Sequence, residues 1–416
     1  MPRSRLKGAL LLLVIAVSFA GASWYWLHVW GRPTVVELTS DAIDVAGSDN
    51  RFALDLYQQL KSQQGNLLFS PYSIATALSM TYAGASGDTR AEMAQVLNFK
   101  TPDAQVHTGN RVLHDYFGAK NRRFGVQLQV ADRLWRQRGH TFLPAFLKVC
   151  ERDYRSEPAL VDFGGNAENV RRAINEWAAE VTDRKINEIF PSGKISKDTR
   201  LVIANAVYFK AEWMSKFDKR ENTFSKFFVT PNERVDVTLM NQYEKFSYTH
   251  DENVQIVDLP YVDGSLSMLV LLPDAVDGLT ALEARLTEQN LNRWLTRLSP
   301  TQLQVSLPKF QSTSQFDLND TLSAMGMSSA FDASTADFSG MTGRKDLFLG
   351  AVLHQAYVDV NEEGTEAAAA TTVRADKIAA PTPVAFRADH PFVYLIRDRE
   401  SGAILFLGRM VRPPRG

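Results

Sequence analysis

Hydrophobic positions recur along this chain with two periods, and the change from one to the other divides it. From Asp49, residues Phe52, Leu56, Tyr57 and Leu60 fall on one stripe at i, i+4, i+5 and i+8, which predicts an amphipathic helix ended by Gly65. Ser70 before Pro71 reads as an N-cap with a first-turn proline, and Ile74, Ala77, Leu78 and Thr81 line one face of the helix that follows, as far as Gly84. Thr89-Arg90-Ala91-Glu92 has capping-box spacing for a third helix carrying Met93, Val96 and Leu97. Val126, Leu128 and Val130 alternate as a strand, and Val170, Ile174, Trp177 and Val181 return to helical spacing. Strands dominate thereafter. Residues 200–209 are apolar on both parities, the pattern of a strand covered on both faces, with Asn205 in its middle. Further strands are expected at 234–240, 254–260, 266–272, 301–307, 350–360, 392–397 and 403–410. Helices first and strands later, with no internal repeat, predict an α+β architecture around large sheets.

The first thirty residues follow neither period. Arg3, Arg5 and Lys7 precede an apolar run from Leu10 to Phe19, and Ala20-Gly21-Ala22 offers the small residues behind which signal peptidase cuts. The run then continues through Trp24, Tyr25, Trp26 and Trp30 with no charge from Gly8 to Gly31, long enough to span a bilayer. Residues 1–31 are therefore expected to be a cleaved export signal or an uncleaved anchor. Either places the body outside the cytoplasm, secreted or periplasmic, with membrane contact only through residues 8–30. Residues 32–48 read as a linker and 49–412 as one domain.

Composition mainly excludes. The 416 residues hold 46 Lys+Arg against 47 Asp+Glu, with no basic block to neutralise a phosphate backbone, so nucleic acid is not an expected partner. Without residues 1–31, 43 basic residues face 47 acidic ones, a net charge of −4. A single cysteine, Cys150, excludes an intrachain disulfide or a thiolate cluster, and its amphipathic surroundings (Phe142, Phe146, Leu147) suit a buried, inert thiol. There is no Gly-x-Ser-x-Gly, no His-Glu zincin pair and no phosphate loop. His107 and His114 share a helical face, which reads as solvated in preference to a metal site. Neither a metal nor a cofactor is expected.

One segment breaks the pattern. After the strand ending at Val360 the chain reads Asn361-Glu362-Glu363-Gly364-Thr365-Glu366, then Ala367, Ala368, Ala369, Ala370 and on to Pro381, with no large apolar anchor. Positions 365, 367, 369, 371, 373 and 375 are Thr, Ala, Ala, Thr, Val and Ala, whereas the charges Glu366, Arg374 and Asp376 occupy the other parity. An alanine-rich linker is one explanation. A segment that becomes a sheet strand is the other, because only a strand has a reason to sort its charges onto one face.

This run resembles the hinge of the reactive loop in an inhibitory serpin. Phe386-Arg-Ala-Asp-His-Pro-Phe392 and Ile404-Leu-Phe-Leu-Gly-Arg409 are similar to that family's C-terminal signature, and Asn205-Ala-Val-Tyr-Phe-Lys-Ala-Glu-Trp213, Phe69-Ser-Pro-Tyr-Ser-Ile74 and Leu307-Pro-Lys-Phe310 match further motifs. The matches run in family order over about residues 50–412. The resemblance implies three β-sheets, eight or nine helices and an exposed reactive loop at 362–381 on a metastable monomer. A serine protease, or a cysteine protease, would attack that loop and form a covalent acyl-enzyme, and the cleaved loop would then insert into the main sheet. The hinge is Glu362, Gly364, Thr365, Glu366 and Ala367 to Ala370. Family spacing from Gly364 places the scissile bond between Ile378 and Ala379, with Lys377–Ile378 as the alternative, which suits an elastase-, subtilisin- or trypsin-like target. Ser70, Ser73, Asn205 and His354 match the sheet-opening region, and Trp213 matches the point of loop entry. Taken singly, each reads better as a capping serine, a satisfied core polar group or a core aromatic. Lys120, Arg122 and Arg123 lie where some relatives bind glycosaminoglycans, but read as three solvent-facing charges. A non-inhibitory binding or chaperone module is the alternative function. An enzyme is not expected.

Overall fold

Small residues and caps, more than large apolar ones, set where the helices begin. In the computed structural model, which describes residues 36–121, 126–365 and 384–414, helix α1 spans Ser40–Leu60. Thr39 caps it, its Oγ1 accepting from the Ala42 amide at 3.3 Å. The stretch 32–48, expected as a linker, is thus helical from Ser40, and Ala42, Val45 and Ala46 are buried. The reason is close approach to a later helix, α4 (Asp103–Lys120): a Cβ on its Gly109 would stand 2.5 Å from the Asp41 carbonyl oxygen. Helix α2 (Pro71–Tyr82) begins as its sequence predicts, with the Ser70 Oγ accepting from the Ser73 amide at 3.3 Å. Helix α3 (Gly87–Val96) does not. Thr89 and Glu92 form no capping box; the Thr89 Oγ1 accepts from the Asp337 amide at 3.0 Å and Glu92 from the Ser329 amide at 2.8 Å. With α5 (Pro144–Tyr154), α6 (Phe163–Val181) and four shorter helices, the described residues hold ten α-helices. The resemblance implies eight or nine; the ten here include pieces as short as Ser339–Thr342.

Among the described residues the strands form two hydrogen-bonded sheets. The six-stranded sheet runs β10 (Phe310–Asp317), β11 (Ala351–Asn361), β12 (Gly364–Thr365), β4 (Leu201–Glu212), β2 (Val126–Gln137), β3 (Ala159–Val161). The nine-stranded sheet runs β1 (Leu67–Phe69), β15 (Ile404–Met410), β14 (Phe392–Asp398), β8 (Leu266–Pro273), β7 (Val254–Pro260), β6 (Glu233–Asp251), β9 (Ser299–Pro308), β13 (Val384–Arg387), with β5 (Thr223–Thr230) also on β6. Three sheets were expected. Two are continuous because β6, 19 residues long, pairs its first part with β5 and its last five residues with β7.

Strand β4 is covered on both faces, as its unbroken apolar run predicts. Val202, Ala204 and Ala206 pack with Ile174 and Ala178 of α6, while Val207 and Phe209 join a core shared with Tyr394 and Phe406 of the other sheet. A separate cluster buries Phe52, Tyr57 and Leu78 of α1 and α2 against Leu271, Leu395 and Leu407. The six-stranded sheet is therefore held between helix and sheet, and any rearrangement within it happens inside the molecule.

Candidate functional site

Strands β11 and β4 lie side by side and parallel, in register from Ala351↔Val202 to Val358↔Phe209. Above that seam the chain turns at Glu362-Glu363 and comes back between the two strands. Gly364 pairs with Asn361 and Glu212, and Thr365 with Val360 and Ala211, antiparallel to both neighbours. Thr365 is fully buried, its Oγ1 hydrogen-bonded to the Tyr261 hydroxyl at 2.9 Å. Gly364 is required here: its φ is +151°, and a Cβ would stand 2.1 Å from the Ala211 carbonyl oxygen.

The turn is fixed from several sides. The Trp213 indole Nε1 donates to the Asn361 carbonyl and its amide to the Glu363 carbonyl, both at 2.9 Å. Its ring stacks on Tyr261 with centroids 4.6 Å apart. The Glu362 carboxylate accepts from Asn222 at 2.6 Å and pairs with Lys309 at 3.0 Å. Burial alone would raise its pKa, but these hydrogen bonds and the lysine charge outweigh it and hold the carboxyl below its usual range. Glu363 pairs with Lys216 at 3.3 Å and Lys219 at 3.2 Å.

Midway down the seam a polar row crosses three strands. Asp132 of β2 faces Asn205 of β4, which faces His354 of β11. The His354 Nδ1–H donates to the Asn205 Oδ1, and its Nε2 accepts the Ser70 amide at 3.0 Å. Burial pushes the imidazole down to about 3, so it is neutral, as this donor-and-acceptor pattern needs. The Asn205 Nδ2 donates to the Ser73 Oγ at 2.6 Å and to the Asp132 carboxylate, and the Ser73 Oγ donates to Asp132 at 3.2 Å. Within the row only the His354–Asn205 bond crosses from β11 to β4; the other bonds tie β2 to β4 and all three strands to the start of α2.

The structure thus brings Ser70, Ser73, Asn205 and His354 into one cluster, and Trp213, Glu362, Gly364 and Thr365 into another at the top of the same seam. Glu366, Ala367 to Ala370, Lys377, Ile378 and Ala379 lie outside the described residues, as do Arg122 and Arg123. Asp132, Tyr261, Lys309 and Asn222 belong to the site and were not expected. Two surface readings are corrected. Lys120 is buried in an ion pair with Asp398, with Glu400 at 3.8 Å, so it does not face solvent. His107 is likewise buried, its Nδ1 2.7 Å from the Tyr154 hydroxyl. Cys150 is buried, which pushes its thiol up to about 12.

A sheet with two parallel central strands and the start of a third between them defines a class, and comparison with known proteins gives the same one. Residues 47–413 match the family model described as "Serpin (serine protease inhibitor)". The chain is 37% identical to the human leukocyte elastase inhibitor over 379 residues, 89% of this chain and 99% of the relative. It is 38% identical to human serpin B8 over 378 residues, 89% of this chain and 100% of the relative. The crystal structure of uncleaved ovalbumin superposes with a TM-score of 0.81 at 27% identity, covering 89% of this chain and 100% of that one. This chain belongs to the serpin family.

Proposed function

We propose that the chain is an irreversible, single-use inhibitor of serine endopeptidases, acting by loop insertion. The observation that carries this reading is Gly364-Thr365, seated as the first antiparallel pairs between β11 and β4. The inward residue, Thr365, opens the parity of small uncharged positions that runs to Ala375. The protease serine Oγ attacks the Ile378 carbonyl carbon; the Ile378–Ala379 amide breaks, an ester forms, and Ala379 leaves as an amine protonated by the protease. Continued pairing of residues 366 onward with both flanking strands then draws the ester-linked protease away before water hydrolyses it. Ile378 at the cut bond favours an elastase-like target, and the similarity to the human leukocyte elastase inhibitor supports that order of testing. A subtilisin-like enzyme comes next, and a trypsin-like one follows if the cut is after Lys377. A cysteine protease would be held by the corresponding thioester.

The same proposal places the protein outside the cytoplasm as a monomer, with residues 1–31 as export signal or anchor. Fractionation of cells expressing the full chain, with N-terminal sequencing of the product, decides between cleavage and retention; an uncleaved cytoplasmic product overturns the export reading. The binding or chaperone alternative is disfavoured by the absence of any bulky, charged or proline residue at the odd positions 365–373. The test mixes residues 32–416 with an elastase, a subtilisin and trypsin. A covalent adduct stable to denaturing electrophoresis, with the cut mapped after Ile378, is the expected result. Loop cleavage without adduct for all three would transfer the function to the binding alternative.

A further inference from the structure

We propose that Tyr261 is a positioning residue for loop insertion: its hydroxyl holds the first hinge residues, Gly364 and Thr365, in the sheet and in register before any protease arrives. Tyr261 follows β7, at a place where the two sheets touch. An isolated antiparallel bridge joins it to Trp213. Two backbone bonds bracket that bridge, from the Met214 amide to the Pro260 carbonyl at 3.0 Å and from the Val262 amide to the Glu212 carbonyl at 2.7 Å. The Tyr261 ring stacks on the Trp213 indole within 5° of parallel and meets the Phe209 ring edge-on at 5.2 Å. Backbone and ring are both fixed, so the hydroxyl is aimed before the hinge arrives. It lies 2.9 Å from the Thr365 Oγ1, and both residues are fully buried. Among the described residues neither hydroxyl bonds to any other group.

An exclusive, buried pair of this kind weights an equilibrium. Expulsion of the hinge breaks the hydroxyl bond together with the ladder pairs of residues 364 and 365, so the bond favours the seated state. It also selects register. A slip of one residue would turn Gly364 or Glu366 inward in place of Thr365. The glycine has no side chain to offer the phenol, and the glutamate would bury a carboxylate. Of the three, only Thr365 brings a small neutral group that completes the bond.

The inference rests on the insertion reading, because a seated hinge matters only if insertion follows, but its test needs no protease. Amide hydrogen exchange of the full chain is followed by mass spectrometry in the peptide covering Asn361 to Thr365. Tyr261→Phe keeps the stacked ring and removes one hydroxyl; Thr365→Val keeps the side-chain shape and removes the other. Each should speed exchange in that peptide at least about threefold, the effect of one lost hydrogen bond. The double variant should exchange no faster than the faster single, because both changes remove the same bond. Thr365→Ser, which retains a hydroxyl, should stay within about twofold of the natural chain. Smaller rises in the singles, a double whose rise is the product of the two, or equal acceleration in peptides of β8 and β14 overturns the assignment. Should the Tyr261 variants not fold, Thr365→Val against Thr365→Ser decides. Faster exchange in the valine variant upholds the hydroxyl bond; faster exchange in the serine variant assigns the seating to the methyl group and refutes it. A chain that shows the coupled exchange but traps no protease would sink the inhibitory reading alone.

Discussion

Two rows of side chains cross three strands in this molecule, one in each sheet. In the nine-stranded sheet Leu269, Leu395 and Leu407 align across β8, β14 and β15, all buried. In the six-stranded sheet the aligned residues are Asp132, Asn205 and His354. Parting the leucine row would return apolar surface to water at about 25 cal/mol per Å², with nothing to replace it. Parting the polar row exchanges protein hydrogen bonds for bonds to water or to an arriving strand, a change worth only about 0.5–1.5 kcal/mol for each bond. The first row is suited to staying shut and the second to opening, although Asn205 and His354 are as buried as the leucines.

The largest effect that could break this contrast is at the seam's entrance. Thr365→Arg puts a guanidinium in a buried site beside Tyr261, at a cost of several kcal/mol when unpaired. The adduct yield with any trapped protease should fall more than about tenfold, which needs only about 1.4 kcal/mol in partitioning, while the cleaved bond stays the same. Unchanged adduct yield would mean that this face never enters the sheet. Leu395→Ala should cost about 2–5 kcal/mol in denaturant unfolding, and leave the adduct yield per protein molecule as it was. A seam-like effect from this leucine would erase the distinction between the rows. His354→Ala strands the Ser70 amide and the Asn205 carbonyl oxygen. It should lower unfolding stability by about 1–3 kcal/mol, with hydrogen exchange accelerated first in the amides of β4 and β11. The smallest change is Lys309→Ala, which removes a half-exposed partner of Glu362. A loss of no more than about 1 kcal/mol is expected, shrinking as pH falls. Glu362 titrates below its unfolded value, so its contribution is present above that value and disappears as acid protonates it.

Much of this site could be read from residue order. Asn205 and His354 are polar residues in apolar runs, and Ser70 announces itself as a cap before Pro71. Asp132 did not stand out, because its strand also carries Gln127, Gln129 and Arg133; only the register Asp132↔Asn205 singles it out. The same gap explains the misreadings. Thr89 and Glu92 fit a local motif, yet spend their side chains on Asp337 and Ser329, far along the chain. Lys120 looked like part of a surface triplet and instead meets Asp398. Helix α1 starts earlier than its large residues do because Asp41 and Val45 pack against Gly109. Period and parity report which face a residue takes, and long-range pairing decides what it meets there.

A zipper is hardest to start at its first tooth, since the cost of bringing two edges together precedes any reward. Here the first teeth, Gly364 and Thr365, are already engaged. Closure need only propagate, and it propagates in one direction, away from the turn at Glu362. It also runs in one register, because a slip of a single residue would turn the Glu366, Arg374 and Asp376 face inward. The two seated residues therefore act as a starting block, setting both the speed and the phase of everything downstream.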